Sequence, residues 1–503
     1  MYKTLISIAH NRIIGSVLFA LCCVSFFLSH FPYLLNYPTG LHFIRQTDSL
    51  SFSMYYLLKD NFNFFDIGNL SLNFQEGKAA CELPLFYFLY FLIFKVFGLN
   101  FTFIRVFSLL IFLFSTACLF KRLMSYFGNW FIPLVLIVFV SSSSVLSYFS
   151  INFLPDSLAL SFTFMGISYL FEKKPDGVKE NHVLPSVFLT LAALLKAYYA
   201  IYLALYVLHS VLNHKRLSIK GLLPALFGFL SILFWYLYSI HYNTVYGSNY
   251  YLTSFNPIWI MSREEIEITW QYITEFWYPK YYLPSVFHLL LIFLVLCFIP
   301  GIIQSLQKRL LFLGGTALVL VYVLLFFKQF KDHDYYFLPL IPYFLMISIF
   351  VIEGLMNLGR YNALKVFVLL ALVGVTIPAM NYSMLNLKRR FFNSADDFSK
   401  VAYQLGGSEH LLDSLNIGSS SRFLVVGDRT PNGSLVMLRR FGWTFKDFSP
   451  QVEKITEELA DYLIILEPSQ HTIPKKLNEK LKTCEKYVYK SNYIYKLQNK
   501  PKL

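Results

Sequence analysis

The fold class predicted for this 503-residue chain is an all-α polytopic transmembrane bundle of about eleven helices, followed by a small C-terminal external α/β domain. Three observations predict it. The chain is 56% hydrophobic and only 14% charged, whereas soluble domains carry about 25% charged residues. Apolar runs such as 129–149 (NWFIPLVLIVFVSSSSVLSYF) and 284–306 are long enough to cross a hydrocarbon core of about 30 Å. Beyond residue 383 the apolar runs shrink to strand length and polar helical patterns take over.

The elements follow in order. The first run, 13–35, stands behind Lys3 and Arg12, as a signal peptide would. It exceeds the usual apolar region of such a peptide and lacks a small-x-small cleavage site, so it reads as a retained first helix. Short basic segments, 121–128, 172–182, 213–221, 307–310 and 359–365, read as cytoplasmic loops. With the N-terminus inside, 36–82 is an external loop. Run 83–99 is short, is interrupted by Lys95 and ends at Gly98, so it is expected to lie along the membrane. Then 101–120 and 129–149 cross, leaving 150–157 external. Run 184–212 starts and ends beside basic loops and must be two short passes, broken near Lys196-Ala197-Tyr198-Tyr199. Runs 220–240, 284–306, 310–327, 337–354 and 363–382 complete the bundle. The transmembrane domain is thus expected over 1–382 and the external domain over 383–503. In that tail, helical stretches are expected at 395–415 and 450–460, with strand-like runs at 422–428, 434–440 and 461–467.

The formal charge of +14 lies mostly in short inter-helix loops, where membrane topology puts it, so nucleic acid is not an expected partner. Cys22, Cys23, Cys81, Cys118, Cys297 and Cys484 show no metal-ligand spacing and no disulfide framework.

The same topology gathers polar residues on the external face. Asp48, Glu82, Asp156, Lys196 and the cluster Lys328–Tyr336 (KQFKDHDYY) all fall there, each near a helix end. Ionisable groups at membrane depth are costly and usually line a functional cavity. Each has a plainer reading as well. Asp48 and Asp156 fit N-cap positions, Glu82 fits the N-terminal dipole, and Tyr335 and Tyr336 fit the interfacial aromatic belt. Carboxylates beside cations at a membrane surface suit glycosyl transfer from a lipid-phosphate sugar. The acceptor needs a base, the departing phosphate needs cations, and the lipid needs a groove.

The segment FIRQTDSLSFSMYY resembles the first external loop of bacterial GT-C glycosyltransferases related to protein O-mannosyltransferases and the lipid A aminoarabinose transferase. One subgroup carries His-x-Trp-Arg-Gln-x-Asp there; this chain has His42-Phe43-Ile44-Arg45-Gln46-Thr47-Asp48, with Ile44 in place of the Trp. ELPLFYFLYFLIFKVFG (82–98) is similar to the family's Glu-x-Pro-Leu juxtamembrane helix. FLPDSLALSF matches the second external loop, LAALLKAYYA the Lys-bearing break and HDYYFLPLIP the late Tyr-x-Leu-Pro helix start. NGSLVMLRRFGW (432–443) resembles a short motif of the periplasmic domain. The resemblance implies Asp48, Glu82 and Asp156 as the acidic, catalytic set. It implies Arg45, Lys196, Lys331 and His333 for the donor phosphate, and Gln46, Tyr335 and Tyr336 for substrate. It implies a polyprenyl-phosphate sugar as donor and a glycan, lipid or protein as acceptor, with inversion and no covalent sugar–enzyme intermediate. Many relatives have an Asp-Glu pair where this chain has Asp48-Ser49, which weakens a carried-over metal site; a divalent cation stays open as cofactor. The expected location is a bacterial inner membrane.

Two other readings compete. An O-antigen polymerase or ligase is also polytopic, but relies on Arg/His-rich external loops. A flippase or transporter predicts repeat symmetry and paired broken helices, whereas only one broken helix is visible here.

Overall fold

The computed structural model describes residues 10–73, 77–173, 181–213, 219–250, 255–358, 362–392 and 397–497. Basic loop residues expected on the cytoplasmic side at 174–180, 214–218 and 359–361 lie outside the described residues, as does Lys3. Among those described, six helices are long and apolar enough to cross a membrane, or seven if the bent pair Arg263–Tyr281 and Pro284–Leu296 is one span. The chain is a multi-pass integral membrane protein. It divides into two compact units, one of Met1–Leu34, Arg105–Trp235 and Ser254–Arg389, the other of Leu35–Ile104, Tyr236–Thr253 and Arg390–Leu503.

The first unit is the helical bundle. Its centre is the span Asp334–Asn357, 89% buried over its most apolar stretch, against 22% for Arg12–Leu34 and Leu306–Leu325. Run 184–212 is broken where expected, into Val183–Leu195 and Ala200–Asn213, with Lys196 extended between them (φ −148°). Run 129–149, read as one uninterrupted crossing, is instead two helices, Phe131–Ser141 and Ser144–Phe149. The Ser141–Ser144 run supplies the reason. Ser142 Oγ bonds back to the Phe139 carbonyl at 2.6 Å and Ser143 Oγ leaves for the Tyr281 carbonyl at 3.0 Å. The Tyr282 hydroxyl then covers the Val140 carbonyl at 2.8 Å. A break at membrane depth survives only when the freed backbone groups find such partners.

In the second unit, Leu85–Phe97 has 13 residues, about 20 Å at helical rise and so short of a bilayer. It stops at Gly98, whose φ of 74° ends a helix without a Cβ penalty. Helix Phe43–Leu58 begins after a turn in which Gly40 (φ 78°) and His42 (φ 58°) are left-handed. A Cβ on Gly40 would lie 2.3 Å from the Arg390 carbonyl oxygen. Leu41 N–H caps that carbonyl at 3.1 Å, satisfying one of the orphan acceptors at the end of helix Asn362–Phe392.

The C-terminal sheet comprises β1 (Phe423–Val426), β2 (Gly442–Phe445), β3 (Tyr462–Ile465), β4 (Glu485–Tyr489) and β5 (Asn492–Lys496), in the order β2-β1-β3-β5-β4. β1 is parallel to both neighbours, whereas β5 is antiparallel to β3 and β4. Run 434–440, expected as a strand, is a helix, Gly433–Leu438, with all six residues buried. The Asp428 carboxylate accepts the Ser434 N–H at 2.8 Å; this covers an orphan donor at the helix start and outweighs the β-like composition. Ser71 adds an isolated parallel bridge to Gly442 on β2.

Candidate functional site

In the second unit helix Phe43–Leu58 carries Arg45 and Gln46 in its first turn and Asp48 in the next. This helix is buried almost throughout, and its hydroxyls satisfy themselves on preceding carbonyls: Ser49 on Arg45 (3.1 Å), Ser51 on Asp48 (2.7 Å) and Ser53 on Ser49 (3.2 Å). Little polar capacity is left over except at the carboxylate. Asp48 is 4% exposed. Its Oδ1 accepts from the Tyr250 hydroxyl at 2.6 Å and from Asn432 Nδ2 at 3.1 Å. Asn432 Nδ2 also donates to the Tyr250 oxygen at 2.7 Å, closing a triangle. Oδ2 faces Arg45 Nη1 at 3.8 Å, beyond hydrogen-bond length, while Arg45 Nη2 stands 3.5 Å from Glu82 Oε1. Glu82 Oε2 accepts from the Tyr87 hydroxyl at 3.1 Å, and the Tyr87 ring stacks on Phe52 at 5.0 Å.

Burial pushes the Asp48 pKa above the ordinary carboxylate value; Arg45, then Tyr250 and Asn432, pull against that rise, and Glu82 adds to it. The arrangement is a buried carboxylate with one oxygen fixed by neutral donors and the other open to a proton. Gln46 takes no part in it. Its Nε2 donates to the Thr39 and Leu41 carbonyls, both at 2.9 Å, and so holds the turn that precedes the helix.

In the first unit Asp156 opens helix Asp156–Ile167 and is completely buried. It is not the N-cap, which is Pro155. Tyr198 donates its hydroxyl to Oδ1, and Lys196 Nζ lies 3.5 Å from Oδ2. The break at Lys196 makes this possible, because an extended residue between two short helices turns its ammonium sideways rather than along a helix face. The ammonium also lies over the Tyr335 ring, 5.9 Å from its centroid. Tyr335 stacks with His333 at 5.0 Å and with Tyr336 at 5.1 Å, and Tyr336 meets Tyr198 at 5.3 Å. Lys331 gives its carbonyl to Trp277 Nε1 at 2.7 Å. Lys328, on the same segment, pairs with Glu265 at 2.8 Å.

Arg45, Asp48 and Glu82 thus come together in one unit, and Asp156, Lys196, His333, Tyr335 and Tyr336 in the other. Tyr250, Asn432, Tyr87 and Tyr198 were not foreseen as site residues. Asn432 sits in the NGSLVMLRRFGW stretch and Tyr198 in the broken helix, so both lay inside segments already singled out. For Tyr250 the only signal was its place in the aromatic-rich stretch 241–283. Of the tryptophans there, Trp277 is 3% exposed, while Trp259 and Trp270 are 65% and 60% exposed. Among the described residues no three His, Cys, Asp or Glu side chains gather as metal ligands. The cation shared by Asp48 and Glu82 is the Arg45 guanidinium.

These features define a class: the chain has the GT-C fold, a polytopic helical protein with a small C-terminal sheet. The particular likeness is to ArnT from Cupriavidus metallidurans. In its apo crystal structure the match covers 96% of this chain and 98% of that one, with a TM-score of 0.57 and 12% identity. The same protein bound to undecaprenyl phosphate matches over 95% and 97%, with a TM-score of 0.56 and 12% identity. The arabinofuranosyltransferase AftD from mycobacteria matches over 97% of this chain and 42% of its own, with a TM-score of 0.53 and 13% identity. No family model matches the chain, and no curated protein matches it by sequence. The resemblance read from the loop motifs is therefore met in the fold.

Proposed function

We propose that the protein is a glycosyltransferase that moves a sugar from a polyprenyl-phosphate donor to an acceptor on the external face of the membrane. The acceptor hydroxyl or amine attacks the anomeric carbon, its proton passes to Asp48 Oδ2, and the bond from that carbon to the phosphate oxygen breaks. Polyprenyl phosphate departs with the bonding electron pair, and the anomeric centre is inverted. The observation that carries this reading is the Asp48 carboxylate, buried on a GT-C frame, with one oxygen bonded to Tyr250 and Asn432 and the other 3.8 Å from a guanidinium. A base of this kind needs a pKa nearer the working pH than an exposed aspartate has, and burial moves it that way.

Arg45 offsets part of the negative charge that Asp48 and Glu82 bring together. Lys196, drawn to Asp156 and Tyr335, serves the donor phosphate, and Lys331 and His333 assist it. The likeness to ArnT bound to undecaprenyl phosphate supports a polyprenyl lipid as the donor's carrier. The N-terminus is on the cytoplasmic side and the C-terminal sheet on the external side.

The test is transfer of radiolabelled sugar from polyprenyl phosphate to a membrane extract by the purified protein and by Asp48→Asn. Transfer by the wild type, lost in the folded variant, is the expected result. Equal rates in both proteins would remove Asp48 from the chemistry. No transfer from any polyprenyl-phosphate sugar would move the function to the polymerase or flippase readings.

A further inference from the structure

We propose that Asn432, carried by the turn 428–434 beside the C-terminal sheet, is a positioning residue that fixes the rotamer of the Asp48 carboxylate for proton transfer. This rests on the reading of Asp48 as the base. The two residues are 384 positions apart in sequence, and the contact is direct, 3.1 Å from Nδ2 to Oδ1. Both amide hydrogens are committed, one to Asp48 and one to the Tyr250 oxygen at 2.7 Å. The Asn432 amide oxygen is buried and has no hydrogen-bond partner among the described residues. A side chain kept only for packing would not leave a buried acceptor empty, since each such group costs stability. Reversing the amide would turn its oxygen onto a carboxylate and a hydroxyl that already donates elsewhere, so the orientation is fixed by its partners.

The turn behind Asn432 is built to hold it. Asp428, 1% exposed, accepts from Thr430 N–H at 2.7 Å, Thr430 Oγ1 at 2.8 Å and Ser434 N–H at 2.8 Å, and also from Ser434 Oγ. Burying a carboxylate is expensive unless it is bonded in this way, and here all of those bonds serve the seven-residue stretch that presents Asn432. Gly433 then lets the turn press against the helix that bears Asp48. A Cβ there would meet Thr430 Oγ1 at 2.3 Å and Phe43 Cε1 at 2.8 Å. Asn432 holds Oδ1, Oδ2 stays open, and the sheet region acts on the chemistry without touching the substrate.

The experiment follows the Asp48 proton directly in full-length protein. The carboxyl infrared band that disappears in Asp48→Asn is titrated in wild type, Asn432→Leu and Asn432→Asp, and the pH profile of kcat/KM is recorded beside it. Asn432→Leu is expected to move the band and the acid limb together to higher pH, because a donor to the charged form is lost. Its kcat falls by up to about 100-fold, with the donor KM unchanged. Asn432→Asp keeps the shape but adds a like charge, so its shift is larger; Asn432→Gln restores part of the rate. A band and limb that stay in place, with only a lower Tm, would overturn the proposal and leave Asn432 a packing residue. If Asn432→Leu does not fold, the smaller Asn432→Ala, which also removes the donor and adds no charge, decides by the same two readouts. A wild type that transfers no sugar while the band still moves would leave the positioning intact and remove the transferase reading instead.

Discussion

Asp48 and Asp156 are both buried near a helix start, yet they are held in different ways. Asp48 receives a phenol and an amide on one oxygen, and its guanidinium neighbour is shared with Glu82. Asp156 receives a phenol on one oxygen and has the Lys196 ammonium 3.5 Å from the other. Two carboxylates facing one cation leave an excess negative charge that a proton can relieve. Among the contacts described, one carboxylate facing one ammonium leaves none, and on the proposed function the pair holds the ammonium for an incoming phosphate. The difference teaches that identical side chains, both read from the sequence as one acidic set, have different partners, and the proposed function divides them accordingly into a base and an anchor.

The largest expected effect breaks that comparison at its base. Asp48→Asn should lower kcat by about 10²- to 10⁴-fold. Asp156→Asn should act mainly on the donor KM, because it alters an interaction present before and during the transfer. Initial rates against donor concentration separate the two, and equal losses of kcat would erase the distinction. Stability has the opposite sign. A carboxyl whose pKa rises on folding adds stability that is fully present below its unfolded pKa and is lost as pH rises through the folded one. Asp48→Asn should therefore melt no lower than wild type at neutral pH.

Next comes the anchor. Lys196→Met leaves a fully buried Asp156 without its ammonium and should destabilise the fold by about 3 kcal/mol. Adding Asp156→Asn to it should recover most of that loss, since the uncompensated charge is gone. Thermal unfolding of the two single variants and the double variant is the measurement. A double variant as unstable as the sum of the singles would mean that the pair is not coupled.

Arg45→Gln sharpens the comparison through pH. Arg45 is the leading influence that lowers the Asp48 pKa against burial. Without it that pKa rises further, less of the base is ionised at neutral pH, and the acid limb of kcat/KM moves upward. A limb that moves downward, or stays, would mean that Arg45 acts on the donor phosphate alone.

Much of this fold was legible because hydrophobic length is a strong signal. The broken helix at Lys196 and the short helix at 83–99 followed from loop charge and run length. The break at Ser142–Ser143 was written in a four-serine run, but it was read as part of a single span because apolar composition outweighed it. Run 434–440 misled because a short apolar stretch fits a strand and a buried helix equally, and the Asp428 bonds that decide it depend on the turn. The site was legible in part. Arg45, Asp48 and Glu82 stood in local motifs. Tyr250 and Asn432 lie 202 and 384 positions from Asp48, and no local pattern in a single sequence encodes such a contact.

Tyr250→Phe carries the smallest expected effect and probes how that triangle divides its work. The phenol donates to Asp48 Oδ1 at 2.6 Å and accepts from Asn432 at 2.7 Å. Removing its hydroxyl leaves Asn432 bonded to the carboxylate but strands its second amide hydrogen, so Tm should fall modestly, by the equivalent of about 1 kcal/mol. One hydrogen bond to a charged oxygen is lost, worth about 1.5 kcal/mol, so kcat should fall roughly tenfold or less by that measure. The acid limb should move up, but by less than in Arg45→Gln, because Tyr250 lowers the Asp48 pKa less than Arg45 does. The informative alternative is a faster enzyme. A Tyr250→Phe variant with a higher kcat would mean that the phenol occupies the carboxylate in competition with the acceptor, and Tyr250 would then be a gate over Asp48 rather than a support for it.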